Sequence, residues 1–329
     1  MKLLLINSLT FLSSVLATSR TTAPSGCLNV AKRGGDYSTI QSAVNSLSTS
    51  STTAQCIFVN PGTYNEQVLV SSRKAQLTFY GYTDDTSGYS GNQVTITSNL
   101  SQADGLSNDE TATLRVKATN FKMYNININN GYGEGSQAVA LSAYANSGYY
   151  GCAFTGFQDT LLANIGYQIY SKCLIQGATD YIFGQEGAAW FEQCDLRVLA
   201  RPLGYITANG RDSSNGISFY VFNNCDVAAA SGNSVPQGAY YLGRPWSEYA
   251  QVVFQNTTMS SVINEDGWHI WNTGDERTDD VLFGEYNNSG DGAAGPRVDF
   301  ATMLDSAVAI SNILTSSYSS AGYYDASYM

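Results

Sequence analysis

From Cys56 to about Phe283 the apolar residues come in runs of three to six. They include CIFV (56–59), QVLV (67–70), QLTFY (76–80), QVTIT (93–97), TLRV (113–116), the alternating NININN (125–130) and VVF (252–254). Gly, Asn, Asp and Ser separate the runs, and these residues turn a backbone at little cost. Runs of this length and spacing predict short strands, and Cys27–Lys32 predicts another strand ahead of them. Two segments depart from the pattern. Within residues 34–48, Ile40, Val44 and Leu47 recur at helical spacing behind Ser38 and Gln41, a capping-box pair, which predicts one short amphipathic helix. Met303–Leu314 predicts a second helix packed on the outside. Residues 284–299 read as a loop, and the last fifteen residues, rich in Ser and Tyr, as irregular chain.

The runs also repeat. Cys152, Cys173 and Cys194 are spaced 21 residues apart, and the same offset links Gly156 to Gly177, Asp159 to Asp180 and Gln137 to Gln158. A period in the twenties with strand-length apolar runs marks a solenoid that adds one coil per period. Stacked strands lie about 4.8 Å apart, so residues one period apart become neighbours along the stack. The predicted fold is therefore all-β, a parallel β-helix with coils of roughly 20–25 residues. Asn-rich turns suit it, since stacked amides form hydrogen-bonded ladders. The N-terminal helix would cap the open end, where a terminal coil otherwise exposes core and an unpaired edge. Two carboxylates, Asp159 and Asp180, and two carboxamides, Gln137 and Gln158, then converge on one patch.

Composition adds the compartment. Met1-Lys2 is followed by a 15-residue apolar stretch ending in Val15-Leu16-Ala17, the make-up of a secretory signal peptide. A membrane anchor would need about 20 apolar residues. The expected organisation is a signal peptide over residues 1–17 and a single β-helix unit over 18–329, secreted. Six cysteines remain, at 27, 56, 152, 173, 194 and 225, and the repeat offers Cys173–Cys194 or, equally, Cys152–Cys173 as a bridge between adjacent coils. Sequons at Asn99, Asn256 and Asn287 fit a glycoprotein. With no CxxC pair and one histidine, no zinc site is expected, nor any other metal or cofactor. The net charge of −11 argues against nucleic acid and anionic membranes as partners.

The chemistry of the patch follows from its residue types. There is no GxSxG elbow, and the lone histidine, His269, sits between Trp268 and Ile270, where a structural role is expected. Two carboxyls one coil apart cannot both ionise freely, so their pKa values should separate, giving one nucleophile or base and one acid.

Several motifs carry a family resemblance: STIQSAV (38–44), GTYNEQV (62–68), QAVAL (137–141), GFQDTL (156–161), DYIFG (180–184), ITANGR (206–211), LGRPW (242–246) and GWHIW (267–271). In this order the chain resembles the pectin methylesterases, a carbohydrate esterase family built on a right-handed parallel β-helix. The match spans most of residues 30–275. It departs at Tyr181, where the family usually has Phe, at Asn209, where Gln is common, and in a C-terminal tail without the usual Trp-containing ending. The resemblance implies hydrolysis of the methyl esters of galacturonate in pectin. It makes Asp180 the nucleophile and Asp159 the proton donor and acceptor. Gln158 and Gln137 become oxyanion donors, and Arg244 orients Asp180. Trp246 would be a sugar platform, with Tyr181 and Phe183 lining the same wall; for Trp268 and Trp271 a core role is at least as well supported. The implied partner is methyl-esterified pectin, handled by a monomer, with a proteinaceous inhibitor as a further partner; the acidic charge should disfavour sliding along demethylated product. The competing readings are a pectate lyase on the same scaffold, an esterase or thioesterase acting on other acyl groups, and a non-catalytic secreted β-helix that binds polysaccharide.

Overall fold

Seven residues, one on each of seven successive coils, turn the chain at the same corner. Asn125, Lys172, Gln193, Asn224, Asn256 and Asn287 have φ of 50–54°, and Gly151, φ 57°, fills the remaining coil. Each follows a strand of one sheet, and all but Asn287 lead into a strand of a second sheet: Phe121–Tyr124 gives way to Asn127–Asn130, and Glu186–Glu192 to Asp195–Val198. Asn tolerates this left-handed conformation better than most residues, which explains why the turns read as Asn-rich.

The computed structural model describes residues 18–329. The expected signal peptide, residues 1–17, lies outside the described residues. Three parallel sheets make the predicted β-helix: one of eleven strands from Leu28–Val30 to Ala301–Met303, one of eight from Gly62–Asn65 to Thr258–Met259, and one of seven from Val68–Val70 to Tyr240–Pro245. Side chains one coil apart stack in the interior. Tyr149, Tyr170, Phe191, Phe222 and Phe254 form one aromatic column with centroids 4.3–4.9 Å apart. Offset-stacked pairs of this kind add about 0.5–1.5 kcal/mol each beyond area burial.

Both helix expectations need adjustment. The N-terminal helix runs Ile40–Ser46 and buries Ile40, Ala43 and Val44 over the end of the core. Its N-cap is Thr39, not Ser38, and Glu66 accepts from the amides of Ile40 and Gln41, both at 2.9 Å. Gln41 is freed from capping. Its amide accepts from the Leu69 N–H (2.6 Å) and donates to the Leu69 carbonyl (3.3 Å), which satisfies an edge strand of the seven-stranded sheet. The second predicted helix, Met303–Leu314, shrinks to Ile310–Ile313. Gln255 explains the loss: its side chain binds both the N–H and the carbonyl of Val308, holding that stretch out of a helix. The irregular tail then packs on the outside of the eleven-stranded sheet, where Tyr323 and Tyr328 bury against Tyr124 and Tyr150.

The cysteine expectation is wrong as to pairing. Cys27 and Cys56 form the disulfide, while Cys152, Cys173, Cys194 and Cys225 are free and buried. These four occupy the position after the corner on consecutive coils. Each thiol also reaches a carbonyl of the preceding coil, Cys152 that of Met123, Cys173 that of Tyr149, Cys194 that of Tyr170 and Cys225 that of Phe191, over 3.3–3.6 Å.

Candidate active site

The seven-stranded sheet supplies the floor of the site. Its register aligns Ser142, Leu162, Phe183, Ala208 and Arg244 in one column across five strands. Just ahead of two of these strands the chain turns through Asp159 (φ 62°) and Asp180 (φ 48°). The two turns are stacked: the Asp159 N–H donates to the Thr179 carbonyl at 3.0 Å, and the Ala138 N–H to the Gln158 carbonyl at 3.2 Å. Gln137 and Gln158, like the two aspartates, are therefore one coil apart, as their offset predicts.

All four face a cleft of about 340 Å³, which Phe183, Ala208, Arg244, Trp246 and Trp271 also line. Arg244 approaches Asp180 from two coils away with both edges of its fork, Nε donating to Oδ1 at 3.0 Å and Nη2 to Oδ2 at 2.7 Å. Such bidentate pairing is the strong form of a carboxylate hydrogen bond. Both aspartates are 7% exposed, so both carboxyls resist ionisation, but unequally. Burial pushes Asp180 above the usual carboxylate range, and the Arg244 hydrogen bonds and charge offset part of the rise. Burial pushes Asp159 much further, the neighbouring Asp180 charge adds to it, and Arg244 opposes it only through its charge. Burial alone would lower Arg244; its pairing with Asp180 more than compensates. The first carboxyl to ionise is Asp180, and Asp159 keeps its proton to higher pH.

Among the aromatic expectations, Trp246 and Phe183 meet at the cleft with centroids 6.0 Å apart. Tyr181 does not belong there. It is fully buried in the interior, and its hydroxyl has no hydrogen-bond partner. The left-handed turn at Asp180 aims the carboxyl at the cleft and sends the next side chain inward, so adjacency in sequence was misleading. Trp268 stacks on Phe283 at 4.4 Å in the core, whereas Trp271 stands in the cleft wall. Two residues, His269 and Ile270, lie between the two indoles, one of which is buried in the core while the other reaches the cleft. His269 packs edge-on against Tyr241 at 4.7 Å and does not line the cleft.

Gln102 and Asn108 were missed. They line the cleft opposite the tryptophans, and the Gln102 amide donates to Asn108 at 2.7 Å. Two successive capping boxes, Ser101 with Asp104 and Ser107 with Glu110, build this lip. Asp109 pins it to the sheet through Arg115 (2.5 Å), Lys117 (2.9 Å) and Ser142 (2.8 Å). The repeated Ser-x-x-acid pattern was the available signal.

The sequence profile of the pectinesterase family matches residues 28–319. A pectinesterase of Aspergillus aculeatus is 52% identical over 322 residues, covering 97% of each chain. One from Aspergillus niger is 50% identical over 328 residues, covering 99% of this chain and 98% of its own. The crystal structure of a pectin methylesterase from Aspergillus niger superposes with a TM-score of 0.88 at 45% identity, over 94% of this chain and 100% of that one.

Proposed function

Given that the chain belongs to the pectinesterase family and is a carboxylic ester hydrolase, we propose that it hydrolyses pectin methyl esters with Asp180 as nucleophile and Asp159 as acid and base. The observation that carries this is the unequal treatment of two buried carboxyls one coil apart, with Arg244 hydrogen-bonded to Asp180 and not to Asp159. A protonated acid and an ionised nucleophile then coexist in one cleft.

A carboxylate oxygen of Asp180 attacks the ester carbonyl carbon, and the carbonyl π electrons move onto oxygen. Gln158 and Gln137 direct amide N–H groups at that oxyanion. As the carbonyl re-forms, the C–O bond to the methoxy group breaks and Asp159 protonates it, releasing methanol and leaving an acyl anhydride on Asp180. Asp159, now ionised, takes a proton from water, which attacks the sugar-derived acyl carbon. Collapse of the second oxyanion expels Asp180 and leaves galacturonic acid. One water enters, one methanol leaves, and both aspartates return to their starting states. Trp246 and Phe183, with Trp271, provide the apolar faces for sugar rings. We extend the proposal to a secreted monomer in which residues 18–329 are one catalytic unit; the Cys27–Cys56 disulfide favours an oxidising compartment.

The test is methanol release from highly methylated pectin by the wild type and Asp180→Asn. Asn keeps the shape and tolerates φ 48°. The variant should be inactive. Equal rates would remove the mechanism, and no methanol from the wild type between pH 4 and 8 would remove the function.

A further inference from the structure

Arg244 is held by more than Asp180. Its guanidinium carbon lies 4.2 Å from the ring centroid of Tyr205 and 4.4 Å from that of Trp271, over the face of each. Its remaining in-plane nitrogen, Nη1, donates to the Trp271 carbonyl at 3.4 Å. Aromatic rings over a guanidinium leave its plane as the direction for hydrogen bonds, and in that plane stands Asp180.

Tyr205 is itself well placed to act as a fixed wall. It sits in the strand Gly204–Asn209, 7% exposed, and does not line the cleft. The parallel register sets it beside Tyr241, with the rings stacked at 5.9 Å and 22°, and His269 closes on it at 5.5 Å. No part of this cluster is used in the chemistry described above, yet it backs the one cation that distinguishes the two carboxyls.

We propose that Tyr205 is a positioning residue for the reaction: its ring holds the Arg244 guanidinium edge-on to Asp180, so that the ion pair forms with Asp180 and not with Asp159. The inference rests on the reading of Asp180 and Asp159 as the reacting pair. A long Arg side chain has many rotamers, and the second carboxyl is one coil, about 4.8 Å, away. A fork free to tilt between two carboxyls would neutralise each in part and leave neither reliably ionised at the start of the reaction.

The experiment compares Tyr205→Phe with Tyr205→Leu, measuring kcat, KM and the pH dependence of kcat/KM for methanol release. Tyr205→Phe keeps the ring and should stay within about twofold of wild type, with its acid limb in place. Tyr205→Leu should lose about 10- to 100-fold in kcat, the range for a small misplacement near the chemistry. Its KM should change little, and its acid limb should move to higher pH as Asp180 loses its counter-charge. Should Tyr205→Leu not fold, Tyr205→Met fills the volume without an aromatic face and carries the same expectation. The proposal is overturned if Tyr205→Phe falls as far as the aliphatic variant, or if the aliphatic variant keeps both wild-type kcat and the wild-type acid limb. Failure of the underlying reading would look different: Asp180→Asn would retain wild-type methanol release whatever the Tyr205 variants did.

Discussion

Asp159→Asn should make the protein more stable as the pH rises, while abolishing its activity. The Asp159 carboxyl is 7% exposed and, through burial and the Asp180 charge, titrates well above its ordinary value of 3.8. A group whose pKa is raised by folding contributes stability that is complete below its unfolded pKa. That contribution is lost as the pH climbs through the folded pKa, because the unfolded chain has already released the proton. In the interval between the two values the loss runs at about 1.4 kcal/mol per pH unit for one proton. The amide variant has no proton to release and escapes that loss, and Asn accepts φ 62° without added strain. The stability difference, variant minus wild type, should therefore grow by about 1.4 kcal/mol for each unit from pH 4.5 until Asp159 ionises in the folded protein. Denaturant unfolding followed by tryptophan fluorescence at pH 4.5, 5.5 and 6.5 measures it, with methanol release assayed on the same samples. A difference that is flat across this range would mean that Asp159 ionises alike in folded and unfolded chains. It could not then be the resident acid.

Gln158→Leu should lower kcat by about 10²- to 10³-fold with a smaller effect on KM, as expected for a donor that engages the oxyanion and not the ground state; an unchanged kcat would leave Gln158 as part of an amide ladder only. Tyr181→Phe should leave kcat and KM at wild-type values and raise stability by about 1–3 kcal/mol, since it removes a buried hydroxyl without a partner. A loss of substrate affinity in that variant would return Tyr181 to the cleft.

What the sequence disclosed depended on where loops were inserted. The 21-residue offset survives only over the coils that carry Cys152, Cys173 and Cys194, and there it correctly stacked Gln137 with Gln158 and Asp159 with Asp180. Arg244 lies in strand register with Ala208, 36 residues earlier, because two long loops intervene. No offset could have brought it to Asp180, and only the resemblance of LGRPW did. Tyr181 was misplaced and Trp271 left open for a shared reason. Facing depends on backbone conformation at the preceding residues, and neither the left-handed turn at Asp180 nor the path of the chain from Trp268 to Trp271 is visible in composition. The cysteines show the same limit, since their spacing fixed their stacking but not the direction of their thiols. The helical reading of Met303–Leu314 failed because Gln255, distant in sequence, supplies the hydrogen bonds an isolated segment would have made along itself.

The corner of left-handed residues gives the molecule a bound spine and a free fore-edge. Its members stand 21 to 32 residues apart in sequence yet one coil apart in space, from Asn125 to Asn287. The extra length is gathered away from that corner. Between Gln193 and Asn224, for example, it lies in residues 199–203 and 210–218, at the two ends of the strand Gly204–Asn209. Chain added at the spine would throw every later coil out of alignment. Chain added at the fore-edge lengthens a page margin and leaves the binding intact. Since the margins are also the banks of the cleft, what the cleft grips can be rewritten without reopening the question of how the chain folds.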